Sequence, residues 1–461
     1  MKTCIYSQIQ DFSTTISRLF KVPSLAVNVF AEGERRPFVY GSRSACSDAN
    51  ESTYYYISSC TKAFTAMLVG IAAEEGRLSL DAPVREQFGL GKLFLDEETD
   101  EKATLRDLLE HLTGLPRHEF MQASCTSREE LARRIRYLRP SEPYRTKYQY
   151  QNQVYVLVGY ILEKVYGKSW EELVSEKIAK PLGIDMHFRG DSSTETLAEP
   201  YMISLFSRSR AELNTSSIDN PCGGIVLNNV GLRLWLDELL ACSHGRGRLI
   251  SRSTFETLTT SDFVRREPDE RGRMREIGYA CGWSTEYRNN VKIISHGGVN
   301  MGFQSEVLLI PELDCGLTVV TNCLGLPVPQ MIREFFLDHI FEEERRNYFV
   351  YYGKQFAKAL IAGRKTKPAG KDIEPATTPS SRFIGRYFDE GYGDAAVTDC
   401  EGGLMLEYYG SSYALRHIGG DSYQADLPLG QKATVRFTDE TMEMDIFAGN
   451  TANVIFRAQE R

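Results

Sequence analysis

One short stretch constrains this chain more than any other: Ile57-Ser58-Ser59-Cys60-Thr61-Lys62-Ala63-Phe64-Thr65-Ala66-Met67-Leu68-Val69-Gly70. Phe64, Met67, Leu68, Ile71 and Ala72 recur at helical spacing and form one apolar stripe, with Gly76 as a C-terminal stop. The spacing predicts the first turns of a buried helix, with Ser59 and Lys62 three residues apart on one face. A serine hydroxyl becomes a nucleophile when a base takes its proton. A lysine whose amine is kept neutral by burial or a neighbouring cation is such a base. The helix start also aims backbone N–H groups at an oxyanion forming near Ser59. Alone the pattern is weak, since average composition yields roughly two S-x-x-K matches by chance in a chain of this length. It gains meaning from its partners and their order.

The 461 residues carry 42% hydrophobic and 25% charged side chains, as in an ordinary globular chain with room for two or three domains. Net charge is −8, and no basic run interleaves with aromatics, which argues against nucleic acid as a partner. No apolar run approaches the ~18 residues that span a bilayer. The first twenty residues contain no continuous apolar stretch, so no secretory signal is expected. The ten cysteines include no C-x-x-C pair and read as reduced thiols of a cytoplasmic protein. Cys60, inside the key stretch, reads as a small core residue facing away from the site.

Taken in order, Leu25 to Phe30 and Phe38 to Gly41 read as a strand hairpin. Thr104 is placed to cap a helix carrying Leu105, Leu108, Leu109 and Leu112, closed by Gly114 and Pro116. Tyr148-Gln149-Tyr150-Gln151-Asn152 stands directly before a strongly periodic helix with Val154, Leu157, Val158, Ile161, Leu162 and Val165 on one face. Ser169 and Glu172 form a capping box for the next helix. Residues 185 to 222 read as an irregular loop. Its Met186, Phe188, Tyr201, Met202 and Phe206 suit either a hydrophobic acyl chain or ordinary loop packing. Gly223-Gly224 precedes a helix over 230–241. Gly278 to Ser284 and Val291 to Ser295 read as strands joined by Tyr287-Arg288-Asn289-Asn290, after which His296-Gly297-Gly298 interrupts the pattern. Phe303 to Ile310 and Leu317 to Thr321 follow as strands, then a helix with Ile332, Phe335, Phe336, Ile340 and Phe341.

The organisation is therefore strands, helix, helical block, strands, with a cleft expected between the two layers. A catalytic domain is expected over 1–362 with its helical insertion at about 86–224, a Pro/Thr/Ser-rich linker over 363–381, and a small all-β barrel-like domain over 382–461.

In this order the motifs Ser59-Cys60-Thr61-Lys62, Tyr150-Gln151-Asn152 and His296-Gly297-Gly298 resemble those of the serine β-lactamase and penicillin-binding protein superfamily, on its class C side, which includes esterases and DD-peptidases. That family carries S-x-x-K, Y-x-N and K-T-G or an H-x-G variant. Supporting stretches are Glu75 to Asp81, Thr104 to Pro116, Pro181-Leu182-Gly183 and Thr321-Asn322, and the similarity runs from about residue 22 to 345. The resemblance implies an α/β (α+β) fold: an antiparallel sheet flanked by helices with a helical insertion, followed by a lipocalin-like C-terminal domain. It implies Ser59 as nucleophile, Lys62 and Tyr150 as the proton-accepting pair, Asn152 as an orienting group, and His296, Gly297, Gly298 and Val299 along the substrate. The oxyanion is expected between the N–H groups of Ser59 and Val299. Two departures are visible. His296 replaces the lysine that helps hold a β-lactam carboxylate, and Thr113 replaces a serine found in many relatives.

A second Y-x-N, Tyr287-Arg288-Asn289, lies in the expected hairpin turn and is the weaker choice. His111 reads as structural on the leucine-rich helix, and His118, His187, His244, His339 and His417 show no ligand spacing, so neither metal nor cofactor is expected. The two glycines after His296 let a substrate approach a strand edge closely. Three functions fit: a hydrolase of a small ester, thioester or amide, such as an intracellular metabolite; an acyltransferase of the same architecture delivering its acyl group to an alcohol or amine; or a binding relative that kept the fold. The presence of all the nominal catalytic residues counts against the last.

Overall fold

The computed structural model describes residues 5–191, 196–203, 208–213, 215–268, 272, 274–344, 347–348, 350–354, 374–400, 403–427, 432–445 and 453–459. Phe206 and much of the expected linker lie outside these residues. The chain divides into two compact units: Met1–Ala82 with Val158–Lys354, and Pro83–Leu157 with Gln355–Arg461.

The first unit is built on a nine-stranded antiparallel sheet. Its strands are β1 (Ser24–Ala31), β2 (Glu34–Ser44), β3 (Ser47–Asp48), β4 (Val264–Pro268), β5 (Met274–Ala280), β6 (Trp283–Arg288), β7 (Val291–Asn300), β8 (Phe303–Ile310) and β9 (Cys315–Thr321), in the order β3-β2-β1-β9-β8-β7-β6-β5-β4. The central strands β1, β8 and β9 are buried along their whole length, so both faces are covered. Four helices provide the main cover: α1 (Ile5–Phe20), α2 (Lys62–Glu74), α3 (Asn229–Ser243) and α4 (Val328–Ile340).

Period-two alternation decides which helix meets which residue. Leu25, Val27 and Val29 of β1, with Leu317 and Val319 of β9, pack against Ile5, Ile9 and Ile16 of α1 and Met331, Phe335 and Phe336 of α4. On the opposite face Asn28 donates to the carbonyl and side-chain oxygens of Asn229, at the start of α3, at 3.0 and 2.9 Å. Phe64 of α2 stacks on Trp235 of α3 with ring centroids 3.9 Å apart. The apolar stripe read on α2 is thus a real packing face, although the helix is buried nearly all round. Helix α1, which was not among the elements expected from the sequence although Ile5, Ile9, Phe12 and Ile16 recur at helical spacing, belongs to this core. The stretch expected to be irregular contains two sets of strand pairing. Met186–Phe188 pairs with Ile225–Asn228, and Tyr201–Ile203 pairs with Arg208–Arg210. Phe188 is buried against Trp170, so packing accounts for it.

In the second unit, Thr104 caps the short helix Leu105–Leu109 in a full capping box with Asp107. Asp107 also accepts from the Tyr144 hydroxyl at 2.6 Å and pairs with Arg145. Leu112 lies beyond the helix, and His111 sits just after it at φ +61°, a left-handed conformation that ends the helix a turn earlier than the leucine spacing suggests. The C-terminal residues form a closed eight-stranded barrel from Gly385–Asp389 round to Val454–Ala458. Leu404, Leu406, Val435, Phe437, Met442 and Met444 alternate into its interior. No helix among the described residues is long and apolar enough to cross a membrane. No group of three or more His, Cys, Asp or Glu among them could hold a metal ion. No disulfide links the described cysteines.

Asp107 is 1% exposed and serves the cap, Tyr144 and Arg145 at once. Asp107→Ala should therefore cost about 2–4 kcal/mol of stability, read as a fall in the urea midpoint, because the partners lose a buried charge they share.

Candidate active site

Ser59 lies on a single 3₁₀ turn, Ser58–Thr61, and α2 begins only at Lys62. The sequence placed both on one α-helix. The tighter turn serves the pair better, since residues i and i+3 eclipse in 3₁₀ geometry. Ser58 enters the turn at φ +51°, a conformation that non-glycine residues seldom adopt and that marks strain beside the nucleophile. Ser58, Cys60 and Thr61 are buried, and Ser59 alone in the turn is part-exposed. Cys60 faces the sheet, donating from Sγ to the His296 carbonyl at 3.0 Å. Its burial pushes the thiol up to about 12, which removes it as a nucleophile.

Lys62 is fully buried. Its Nζ donates to the Cys222 carbonyl at 2.8 Å and reaches Ser59 Oγ at 3.4 Å. One turn along α2, Thr65 donates to the Pro221 carbonyl at 2.7 Å, so α2 grips the same short segment twice. Arg189 holds that segment from behind. Its guanidinium pairs with Asp219 at 2.6 Å and donates to the Gly223 carbonyl at 2.8 Å, while its own N–H donates to the Gly224 carbonyl at 2.8 Å. The acceptor for Lys62 is thereby clamped on both sides. Gly224 must be glycine, because a Cβ there would stand 1.9 Å from Asn220 Oδ1. The Gly223-Gly224 pair was legible in the sequence; the lysine's use of the carbonyl before it was not, since a backbone acceptor leaves no mark on residue type.

His296, Gly297, Gly298 and Val299 lie inside β7, paired in register with Val307, Glu306, Ser305 and Gln304 of β8. The expected interruption of the strand is absent because the pairing supplies what the sequence pattern lacks. Antiparallel alternation then orients the backbone. Arg288 pairs with Val291 across the Asn289-Asn290 turn, so Val291, Ile293 and Ser295 turn their N–H groups to β6. His296 and Gly298 turn theirs to β8, and Gly297 and Val299 turn theirs back toward the β6 side. The β6 pairing ends at Ser284 opposite Ser295. Gly297 and Val299 therefore present backbone groups on an open edge. Gly298 packs against the nucleophile's turn: a Cβ there would lie 2.3 Å from the Ile57 carbonyl oxygen and 2.2 Å from Ser305 Oγ. Its smallness is demanded by the protein itself, and Gly297 is the exposed one of the two.

Both ring nitrogens of His296 have protein partners. Nδ1 donates to the Gly297 carbonyl at 2.6 Å, and Nε2 accepts from the Tyr279 hydroxyl at 2.8 Å. Burial and the Lys62 cation depress its pKa to about 3, so the ring is neutral at physiological pH. Tyr279 was read only as part of a strand; no signal in the sequence connects it to His296.

Tyr150 and Asn152 belong to the second unit. His111 carries their loop: Gln149 N–H donates to the His111 carbonyl at 3.0 Å and Gln151 N–H to His111 Nδ1 at 3.2 Å. The histidine read as structural thus holds the backbone on both sides of Tyr150, and its ring lies 4.6 Å from the Tyr150 ring. The Arg117 guanidinium lies 5.1 Å over the centre of the Tyr150 ring. Tyr287, of the competing motif, points outward from β6 and is 39% exposed, while the neighbouring Arg288 is bound up in a rear-face network with Glu286, Glu334 and Asp338.

The family model described as Beta-lactamase matches residues 12–337. The unguisins hydrolase ungD' of Aspergillus campestris is 25% identical over 415 residues, covering 83% of this chain and 76% of that protein. The protein flp of Staphylococcus aureus is 25% identical over 292 residues, covering 62% of this chain and 56% of that protein. The octameric penicillin-binding protein homologue from Pyrococcus abyssi superposes with a TM-score of 0.64 at 23% identity, covering 98% of this chain and 100% of that one. A class C beta lactamase from Rhodobacter sphaeroides superposes with a TM-score of 0.59 at 20% identity, over 72% of this chain and 99% of its own.

Two outcomes follow from this geometry. Gly298→Ala should lower stability by about 1–3 kcal/mol and disturb Ser59, because the new methyl meets the Ile57 backbone; urea unfolding and active-site labelling read the two effects. His296 contributes to stability with a definite sign. Its pKa in the folded state lies below the ordinary 6.5, so its contribution is complete above pH 6.5 and is lost as pH falls toward 3. Between pH 6.5 and 5 the wild type should lose about 2 kcal/mol more than His296→Gln, measured by urea denaturation at both values.

Proposed function

Because the chain belongs to the beta-lactamase family, we propose that it is a serine hydrolase that forms an acyl-enzyme on Ser59 from a small ester, thioester or amide. The observation that carries this reading is the buried Lys62 Nζ at 3.4 Å from Ser59 Oγ, held by a further hydrogen bond to a clamped backbone carbonyl. An amine so enclosed beside a part-exposed hydroxyl has little purpose in a merely structural helix start. The hydrolase name of the Aspergillus relative supports water, rather than an alcohol or amine, as the acceptor that releases the acyl group.

In this mechanism Ser59 Oγ attacks the substrate carbonyl and its proton passes to Tyr150 or Lys62. The tetrahedral oxyanion lies between the N–H groups of Ser59 and Val299, each such donor being worth about 3–4 kcal/mol in other hydrolases. The proton moves on to the leaving amine, alcohol or thiol. Water then attacks the acyl-serine and releases the acid and free Ser59. Asn152 orients the acyl substituent. The open edge of β7 at Gly297 and Val299 suits an extended substrate with its own peptide groups, so an amide is the favoured member of the class. A neutral His296 supplies no fixed charge for a substrate carboxylate.

Ser59→Ala should abolish covalent labelling by a fluorophosphonate while the fold persists; surviving labelling would remove Ser59 from its role. Tyr150→Phe and Lys62→Ala should fall to similar low activities, because members of one catalytic unit are not additive, and Tyr287→Phe should stay near wild type. A neutral aryl ester or amide should show a higher kcat/KM than a chromogenic cephalosporin. Efficient cephalosporin turnover would overturn the argument from His296, and product partition toward an added alcohol would make the protein an acyltransferase.

A further inference from the structure

The eight-stranded barrel carries none of the motifs above, yet its first hairpin reaches into the part of the second unit that holds Tyr150. The hairpin tip is Asp389-Glu390-Gly391-Tyr392-Gly393. Asp389 Oδ1 accepts the N–H groups of Gly391 and Tyr392, both at 2.9 Å, which folds the tip into a rigid turn. A Cβ on Gly391 would lie 3.0 Å from Leu138 Cδ2, and one on Gly393 would lie 2.9 Å from an Arg134 guanidinium nitrogen. Tyr392 itself is 1% exposed. Its carbonyl accepts the Tyr408 hydroxyl at 2.9 Å, fixing it to the barrel, and its own hydroxyl stands 2.8 Å from His118 Nδ1. Burial holds the His118 pKa down to about 4, so a neutral ring meets the phenol.

His118 is linked to the Tyr150 loop by two routes. Its carbonyl accepts Gln153 Nε2 at 2.9 Å, and Gln153 is the first residue of the helix that follows Tyr150-Gln151-Asn152. Its chain neighbour Arg117 is the residue whose guanidinium lies over the Tyr150 ring. His111 holds the Tyr150 loop from one side, and His118 with Arg117 holds it from the other. Of these two supports, the second is the one tied to the barrel.

We propose that Tyr392 is a positioning residue for the reaction, through which the C-terminal barrel holds His118, and with it Gln153 and Arg117, in the places that orient the Tyr150 phenol. The proposal rests on Tyr150 acting in proton transfer from Ser59. It gives the barrel a part in catalysis without any contact between the barrel and substrate.

The test uses the full chain and the isosteric Tyr392→Phe variant, which keeps the ring packing and removes only the hydroxyl. The single-turnover rate of acylation by an aryl ester should fall about five- to tenfold while substrate affinity and the thermal midpoint stay near wild type. The fluorophosphonate labelling rate of Ser59 should fall by the same factor in the wild-type background, and Tyr392→Phe should add no further loss in a Tyr150→Phe background. An unchanged acylation rate would overturn the proposal. So would an equal loss of labelling in both backgrounds, since that is the signature of a general structural role. A Tyr150→Phe variant that acylates like wild type would instead overturn the reading on which the proposal rests. If Tyr150→Phe is too slow to label, Arg117→Gln takes its place: it should reproduce the fall in acylation, and combination with Tyr392→Phe should give less than the product of the two losses. Multiplicative losses would overturn the proposal.

Discussion

The amine of Lys62 has no access to water, and much of the first unit is arranged around that fact. A buried amine that lacks acceptors costs several kcal/mol, so its partners must be in place before the helix can close over it. Cys222 supplies one through its carbonyl and Ser59 supplies another. The segment that carries this carbonyl is held through its Pro221 and Gly223 carbonyls by Thr65 and Arg189, which lie far from it in the chain, and through Asp219. Satisfying the lysine and presenting the serine are therefore one structural act: the geometry that makes burial tolerable also places Nζ beside Oγ.

The sheet contributes through its edge as much as through its core. Strand β7 continues past the end of β6, leaving Gly297 and Val299 with backbone groups directed away from β8. Gly298, between them, allows the strand to lie against the turn of the nucleophile, and Cys60 ties that turn to the His296 carbonyl. His296 and Tyr279 then fix the Gly297 peptide from the inner face. A lysine at position 296 would carry a permanent charge; a neutral imidazole with both nitrogens engaged serves instead as a brace for the strand.

The second unit follows the same logic with different parts. Its proton-transfer candidate sits on a loop, and loops hold position only when other groups hold them. His111 does so in its left-handed conformation at one side, and the segment around Arg117 and His118 does so at the other, tied to the barrel through Tyr392. The barrel's own core is self-sufficient, with alternating apolar residues inside a closed ring of strands, so its hairpin tip is free to serve a neighbour.

Local chemistry was legible in the sequence. The serine–lysine spacing, the cap of Thr104, the capping box of Ser169, the helix after Asn152, the hairpin of β1 and β2 and the alternation of the barrel all depend on residues a few positions apart, where period and residue type carry the information. Helix α1 belongs with these, since Ile5, Ile9, Phe12 and Ile16 recur at helical spacing, whereas the continuation of β7 escaped because glycines carry no strand signal of their own. Only the tertiary structure decided that Cys222 accepts from Lys62, that Tyr279 braces His296, that Gly298 is small for the sake of Ile57, and that Tyr392 meets His118. These contacts join residues distant in the chain, and several use backbone carbonyls that every residue possesses. A composition or a spacing cannot mark an acceptor common to all twenty amino acids; the fold alone determines which of them is brought within reach.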